Sequence, residues 1–398
     1  MNRRILALLL AFAMFAALLT GCASGKQETA APEAAQTEQT AVEQPANKAE
    51  QAAEEPAPAE EEAPAEPETV SFTDSLGRTV ELPADITRIA PSGAVATMIL
   101  AAIAPECMVT INAAPSESQM AFLPANLAAL PETGQMYGSK ANLNLETLLA
   151  ADPQVVIDLG DKKGDMTEDL DALQEQIGIP VIFIEADLPH MAAAFRTLGG
   201  LLSGKADRGE ELAALVDRTT AMAEENAAKI TDDMRVRAMY TTGEDGLGTN
   251  AAGSMQAQVL DVVGVENAIV VEDVSNKGGG NVISLEQLYN FDPDVILFAD
   301  GSIYNTVADD SAWAQLTAIS NGKYYEIPGS PYSWLSGPPS MNMILGVWWL
   351  GNLIYPEVYD YDMAGMTQEI YKTLWGYELS SEEVAALLAN STLKAAAQ

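Results

Sequence analysis

Histidine and cysteine are nearly absent: His190, Cys22 and Cys107 are all there is of either among 398 residues. A site for a bare zinc or manganese ion draws several ligands from those two residue types. Its absence excludes such a site, and no Cys–His pair or Ser–His–Asp set can be assembled. His190 follows Pro189 at a helix start, where capping or exposure to solvent accounts for it. The chain is therefore expected to be no enzyme and to hold no resident cofactor or metal. Positive charge is scarce too. Twenty Lys and Arg against 57 Asp and Glu leave a net charge of −37, which makes nucleic acid and anionic lipid poor partners. Long hydrophobic runs are also lacking, the longest being residues 5–19, too short for a stable membrane span. Glycine clusters once, in Asn276-Lys277-Gly278-Gly279-Gly280. This stretch lacks the spacing of a phosphate-binding P-loop and places its lysine ahead of the glycines, so it reads as a flexible loop.

The apolar run at 5–19 follows Arg3 and Arg4, the pattern of a secretory signal over residues 1–22. It closes on Leu19-Thr20-Gly21-Cys22, which resembles a bacterial lipobox. The resemblance implies cleavage before Cys22 and diacylglycerol on its thiol; an ordinary signal peptide with a chance cysteine is the alternative. One lipidated residue would anchor the chain to the extracytoplasmic face of the cell membrane without a spanning helix. Residues 23–70 are built of Ala, Glu, Pro, Gln and Thr, with twelve Glu, two Lys and no aromatic residue. Such a segment cannot bury enough apolar surface to offset its ordering entropy. It reads as a disordered tether kept extended by proline and charge repulsion, with an acidic interaction tail as the alternative. With Cys22 lipidated, Cys107 has no disulfide partner and reads as a half-buried, inert thiol.

Residues 71–398 are long enough for two domains. Alternation of apolar and polar residues around Ser75-Leu76-Gly77-Arg78 predicts a β-hairpin. Apolar strand candidates follow at 88–90, 108–112, 155–159 and 181–185, and again at 236–242, 268–271, 295–299 and 324–328, with helical stretches such as 94–104 between them. Strand alternating with helix favours parallel sheets with right-handed crossovers. Residues 190–230 contain no proline and predict a helix to about Ser203, a break at Gly204 and a longer helix from Lys205. Helices close the chain at 341–355, at 362–375 and from Ser380, where Ser380 and Glu383 form a capping box. The expected fold is α/β: two Rossmann-like lobes, 71–189 and 231–398, joined by the linking helices 190–230 with a ligand cleft between them. One long helical connector implies a stiff hinge and small lobe closure.

The lobes repeat a unit. Leu145-Glu146-Thr147-Leu148 runs on to Asp152-Pro153-Gln154-Val155, and Leu285-Glu286-Gln287-Leu288 runs on to Asp292-Pro293-Asp294-Val295. In each copy a polar residue, Asn144 or Ser284, can cap a short helix, a Glu stands in its first turn and a Pro ends it. A buried apolar strand follows. Paired surface glutamates would offer a symmetric docking feature to a dimeric partner. A single such Glu would do no more than complement the helix dipole, worth about 0.3–1 kcal/mol.

Taken together, Thr73-Asp74-Ser75-Leu76-Gly77-Arg78-Thr79-Val80, the two Leu-Glu…Asp-Pro units, Gly322-Lys323-Tyr324-Tyr325 and Pro338-Pro339-Ser340 through Tyr355-Pro356-Glu357 resemble the periplasmic-binding-protein family of ABC importers for iron-siderophore, haem, cobalamin and related metal complexes. The resemblance covers residues 71–375. It implies a membrane-anchored, monomeric solute-binding lipoprotein that captures a small-molecule metal complex and delivers it to a permease dimer with its ATPase. It further implies that Glu146 and Glu286 pair with permease arginines. Oxyanion (molybdate or tungstate), haem and cobalamin remain alternatives on the same scaffold, and an extracellular enzyme or a sensor is the alternative of another class.

Ligand contacts should come from loops at the carboxyl ends of the parallel strands. In the first lobe the candidates are Ser92 and Gly93, whose following backbone N–H groups could hold an anion, then Tyr137, Ser139 and Lys140, and Asp161 with Lys162. The second lobe offers Thr249, Asn250 and Ser302. Tyr332 and Trp334 supply rigid surface for a flat ligand or, equally, pack a surface loop. Lys140, Lys162, Lys163 and Lys277 fall in loops near the cleft and would favour an anionic ligand, unless they are ordinary solvated lysines.

Overall fold

The structure, a computed structural model, describes residues 68–137, 141–162, 164, 166–275 and 279–392. The expected signal and lipobox with Cys22, and the expected tether up to residue 67, lie outside the described residues, as do Ser139, Lys140, Lys163 and Lys277. Among the described residues no helix is long and apolar enough to cross a membrane.

The first elements are β1 (Thr69–Thr73) and β2 (Thr79–Pro83), an antiparallel hairpin that begins two residues inside the stretch assigned to the tether. The first lobe continues with β3 (Ile89–Pro91), α1 (Ala94–Ile103), α2 (Glu117–Met120), α3 (Leu145–Ala150), β4 (Val155–Gly160), α4 (Met166–Ile177) and β5 (Val181–Glu185). Its sheet, in the order β3-β4-β5, is parallel throughout. The hairpin turn explains the Asp74-Ser75-Leu76-Gly77-Arg78 sequence. Gly77 supplies the positive φ of the turn. The Ser75 amide donates to Phe183 O at 3.0 Å and the Glu185 amide to Ser75 Oγ at 3.0 Å, so the turn covers the free edge of β5. Arg78 locks it by donating to Asp74, Asp171 and Val181 O.

Two helices follow, α5 (Met191–Leu201) and α6 (Ala206–Ala227), as the proline-free stretch and Gly204 predict. They cross closely because both contact positions are glycine. A Cβ on Gly209 would stand 2.6 Å from Phe195 O and 2.8 Å from Gly199 Cα.

The second lobe comprises β6 (Arg237–Thr242), β7 (Gly248–Thr249), α7 (Gln258–Val262), β8 (Glu266–Asn267), β9 (Asn281–Val282), α8 (Leu285–Phe291), β10 (Val295–Phe298), α9 (Thr317–Ser320) and β11 (Tyr324–Glu326). Helices α10 (Met343–Ile354), α11 (Met363–Trp375) and α12 (Ser381–Leu387) close the chain, the last with the expected Ser380–Glu383 capping box. In this lobe the sheet is mixed rather than parallel. Strands β8, β6, β10 and β11 run parallel, but β7 pairs antiparallel with β6, and β9 with β7.

Two expected strands do not form. Residues 108–112 make only isolated bridges, Met108 to Ile89 and Ile111 to Glu132, because successive partners lie on different segments. Residues 268–271 are bent away by Asn267, whose side chain accepts from the Ile269 amide and donates to Asn250 O.

Strand periodicity sorts the core. Val155, Ile157, Ile182 and Ile184 face one cluster, while Val156, Val181 and Phe183 face a satellite under α4. In the second lobe Ala238, Tyr240, Val295 and Leu297 face that same first cluster, whereas Met239, Ile296 and Phe298 face a satellite of their own. The shared cluster also takes in Phe195 and Leu198 of α5, Leu212 and Val216 of α6, and Trp348 and Trp349 of α10. Both lobes thus bury one sheet face in a continuous core wrapped around the linking helices. Arg208 of α6 reinforces the joint by donating to Ala102 O at the end of α1 and to Thr373 O at the end of α11.

Candidate functional site

The repeated units are the most regular feature of the surface. Asn144 caps α3 by accepting from the Thr147 amide, and Ser284 caps α8 in a full capping box with Gln287, each worth about 1 kcal/mol. Leu148 and Leu288 are buried, whereas Glu146 and Glu286 are exposed. The expected C-terminal stop occurs in both copies, with a further device that the sequence did not advertise. Arg88, just ahead of β3, donates to Ala151 O and Asp152 O beyond the end of α3. Arg237, first in β6, donates to Phe291 O and Asp292 O at the end of α8. A cation at the carbonyl end complements the helix dipole and fixes each short helix to its sheet.

The cleft lies where the first turn of α1 and the loop after Ile111 face the loop beyond β11. One recess of it, about 200 Å³, lies between Thr97, Asn112 and Gln119 on one side and Tyr332 and Pro338 on the other and has no charged side chain in its lining; Asn112 and Ala113 also border a recess of about 340 Å³ that Glu132 lines. The N-cap position of α1 is Gly93, which provides no side-chain cap, so the helix keeps its first-turn N–H groups for water or ligand. Tyr332 is half-buried, and burial pushes its phenol up to about 12, leaving a neutral donor and acceptor at any physiological pH. Among the described residues no cluster of His, Cys, Asp and Glu could hold a metal ion.

The structure separates the residues that the sequence singled out. Gly93 and Tyr332 stand beside the cleft. Ser92 is buried, and its hydroxyl is committed to Asp158, so it secures the turn between β3 and α1. Tyr137 is half-buried against the α4 satellite core, and its phenol is pushed up by burial and by the nearby Asp158 carboxylate. Asp161 is half-buried, and the exposed Lys162 lies 3.3 Å from Glu185, which offsets its charge. Ser302 is half-buried in the loop beyond β10, just ahead of the short turn Ile303–Asn305.

Three second-lobe expectations are corrected. Thr249 is fully buried and donates to Tyr240 O; Asn250 is buried beside it, its carbonyl taken by Asn267. Both belong to the antiparallel β7 excursion and not to a strand-end loop. Trp334 is 0% exposed, donates to Ser330 O at 3.2 Å and meets Tyr371 edge to face, so it is core. Its burial follows from α10, where Gly346 lets the Trp334 carbonyl approach so closely that a Cβ would lie 2.2 Å away. What sequence reasoning missed is the segment after Ile111, which carries Asn112 in a loop and Gln119 in α2. The strand-end rule that located Ser92 and Gly93 applies to the 108–112 segment as well and would have found it.

His190 is exposed and bonds Asp187 through Nδ1, while Cys107 is fully rather than half buried and its thiol is pushed up by burial.

Comparison with known proteins agrees with this architecture. A family model described as periplasmic binding protein matches residues 100–331. No curated protein sequence matches the chain. An ABC transporter solute-binding protein from Sulfurospirillum deleyianum superposes with a TM-score of 0.74 at 28% identity, over 80% of this chain and 99% of its own. A periplasmic solute-binding protein from Veillonella parvula follows at 0.68 and 22%, over 81% of this chain and 98% of its own. A molybdate periplasmic binding protein from Haemophilus influenzae, solved with molybdate, gives 0.63 and 20%, over 78% and 99%. With more than half its length matched by the family model, a shared core under two α/β lobes and a cleft between them, the chain belongs to the periplasmic binding protein family.

Proposed function

We propose that the chain is the solute-binding component of an ABC importer, held at the extracytoplasmic face of the membrane by lipid on Cys22, which captures a small metal-bearing solute and hands it to a permease dimer. One observation carries the reading: two equivalent helix starts present exposed Glu146 and Glu286 on the two lobes that flank the cleft. The Sulfurospirillum deleyianum protein, similar over four-fifths of this chain, is described as an ABC transporter solute-binding protein. The shared core supports a body that moves little on binding, so the partner would read a nearly fixed pair of glutamates. Function as a monomer suits this reading, each lobe meeting one permease subunit.

A metal chelate such as an iron-siderophore is the solute class we favour from the sequence. The cleft favours a compact variant of it. The recess beside Tyr332, about 200 Å³ without a charged side chain, is by itself small against ordinary ligand pockets of roughly 300–1,000 Å³. A tetrahedral oxyanion, molybdate or tungstate, is the second reading, supported by the cleft volume and by the uncapped first turn of α1. Native mass spectrometry of protein purified from its host's medium, followed by titration with ferric siderophore, molybdate, haem and cobalamin, distinguishes these. A single metal-bearing adduct at one equivalent is expected. A metal-free adduct, or none of the four binding, rejects the proposed solute class.

A further inference from the structure

The two glutamates are not alone on their helices. Seven large apolar side chains are exposed among the described residues, and two of them are Leu149, 46% exposed, and Tyr289, 38% exposed. Leu149 stands three positions after Glu146 and Tyr289 three positions after Glu286, a spacing that puts acid and apolar group on one helix face. The repeat makes the two pairs equivalent, Leu145-Glu146-Thr147-Leu148-Leu149 against Leu285-Glu286-Gln287-Leu288-Tyr289. Leucine at the fourth position turns inward in both copies, and a large apolar residue at the fifth remains outside in both. Nothing in the fold requires this exposure twice.

Both pairs are held firmly. Arg88 and Arg237 bind the carbonyl ends of the helices, and the Tyr289 hydroxyl donates to Ala312 O at 2.8 Å, which sets the ring of a side chain that stays partly exposed. The tethered Tyr289 ring therefore loses little entropy on association. Glu146 and Glu286 form no ion pair among the described residues, so each is available to an outside cation.

We propose that Leu149 and Tyr289 are the apolar anchors of the docking surface, each seated in a recess of the membrane-embedded permease dimer beside the cation that receives Glu146 or Glu286. The proposal rests on the docking reading above and adds a division of labour: charge sets register and association rate, while the buried apolar group sets the lifetime of the complex. The duplication fits a partner with two equivalent subunits, and the uncompensated acid fits a basic rim on it.

The test uses the permease–ATPase complex purified from the chain's own host in lipid nanodiscs, with binding and dissociation rates measured across a salt series. Leu149→Ser and Tyr289→Ser should each weaken binding by roughly tenfold, mainly through faster dissociation, with the salt dependence kept. Glu146→Gln and Glu286→Gln should slow association and flatten the salt dependence. Met234→Ser, which removes a comparably exposed apolar side chain outside both helices, serves as the control and should bind as the parent does; thermal melts verify folding of every variant. If the glutamate variants weaken binding and the serine variants do not, the anchors are rejected while the docking reading stands. If neither set changes binding, both are rejected.

Discussion

Asp152 and Asp292 are the two non-glycine residues with left-handed backbone among the described residues, at φ 49° and 37°, and they occupy equivalent places in the two lobes. Each stands between a short helix and a Pro that disfavours the helical region for the residue before it. Aspartate tolerates the left-handed region better than most side chains, so the chain leaves α3 and α8 by the same sharp turn and enters β4 and β10. The repeat seen in the sequence is therefore a repeat of backbone conformation as well.

A β-branched residue there should be costly. Asp152→Val is expected to lose about 1–2 kcal/mol in urea unfolding, whereas Asp152→Gly should be neutral or slightly stabilising. Asp292 also accepts from the Thr317 hydroxyl at 3.2 Å, so Asp292→Gly should cost more than its first-lobe counterpart.

The crossing of the linking helices gives a second test. Gly209→Ala places a methyl against Phe195 O and Gly199 Cα, backbone atoms that cannot yield without moving a helix. A loss of about 1–3 kcal/mol is expected, read by denaturant unfolding. An unchanged midpoint would mean that α5 and α6 can separate freely.

Tyr332 and Trp334, two residues apart, should behave differently. Trp334→Ala removes a fully enclosed side chain and should cost about 3–5 kcal/mol of stability. Tyr332→Ala removes a half-buried side chain packed on the same core, so it should cost clearly less stability than Trp334→Ala while weakening binding of the co-purifying solute by roughly 1–3 kcal/mol, measured by calorimetry.

How much of this was legible in the sequence follows from the physics of each signal. Helix caps, the break at Gly204 and the paired Leu-Glu units were readable because each is set within a few residues by local hydrogen bonding and backbone sterics. The two helices of the linker were found with their ends one to three residues off. Failures came where long-range partners decide. Residues 108–112 have strand composition but meet two different neighbours. Thr249 and Asn250 look like loop residues, yet the antiparallel return through β7 buries them. Trp334 sits in a Pro-rich segment that reads as surface, and only the approach of α10 through Gly346 reveals it as core. Arg88 and Arg237 carried no sequence signal as caps, since the carbonyls they bind lie more than fifty residues away.

The membrane anchor is tested separately from the fold. Cys22→Ala should leave an unlipidated precursor or release the protein into the soluble fraction. Mutant protein recovered in the membrane fraction with unchanged processing contradicts the lipid assignment.

The central claim, that Glu146 and Glu286 serve the permease and not the solute, is tested most directly by charge reversal. Glu146→Arg, Glu286→Arg and the double variant should each leave the dissociation constant of the co-purifying solute unchanged while cutting its uptake into cells, the double variant most severely, because like charges then face the permease. Solute affinity that falls in step with uptake, or uptake that survives both reversals, would contradict the account and leave the repeated glutamates as helix-start residues only.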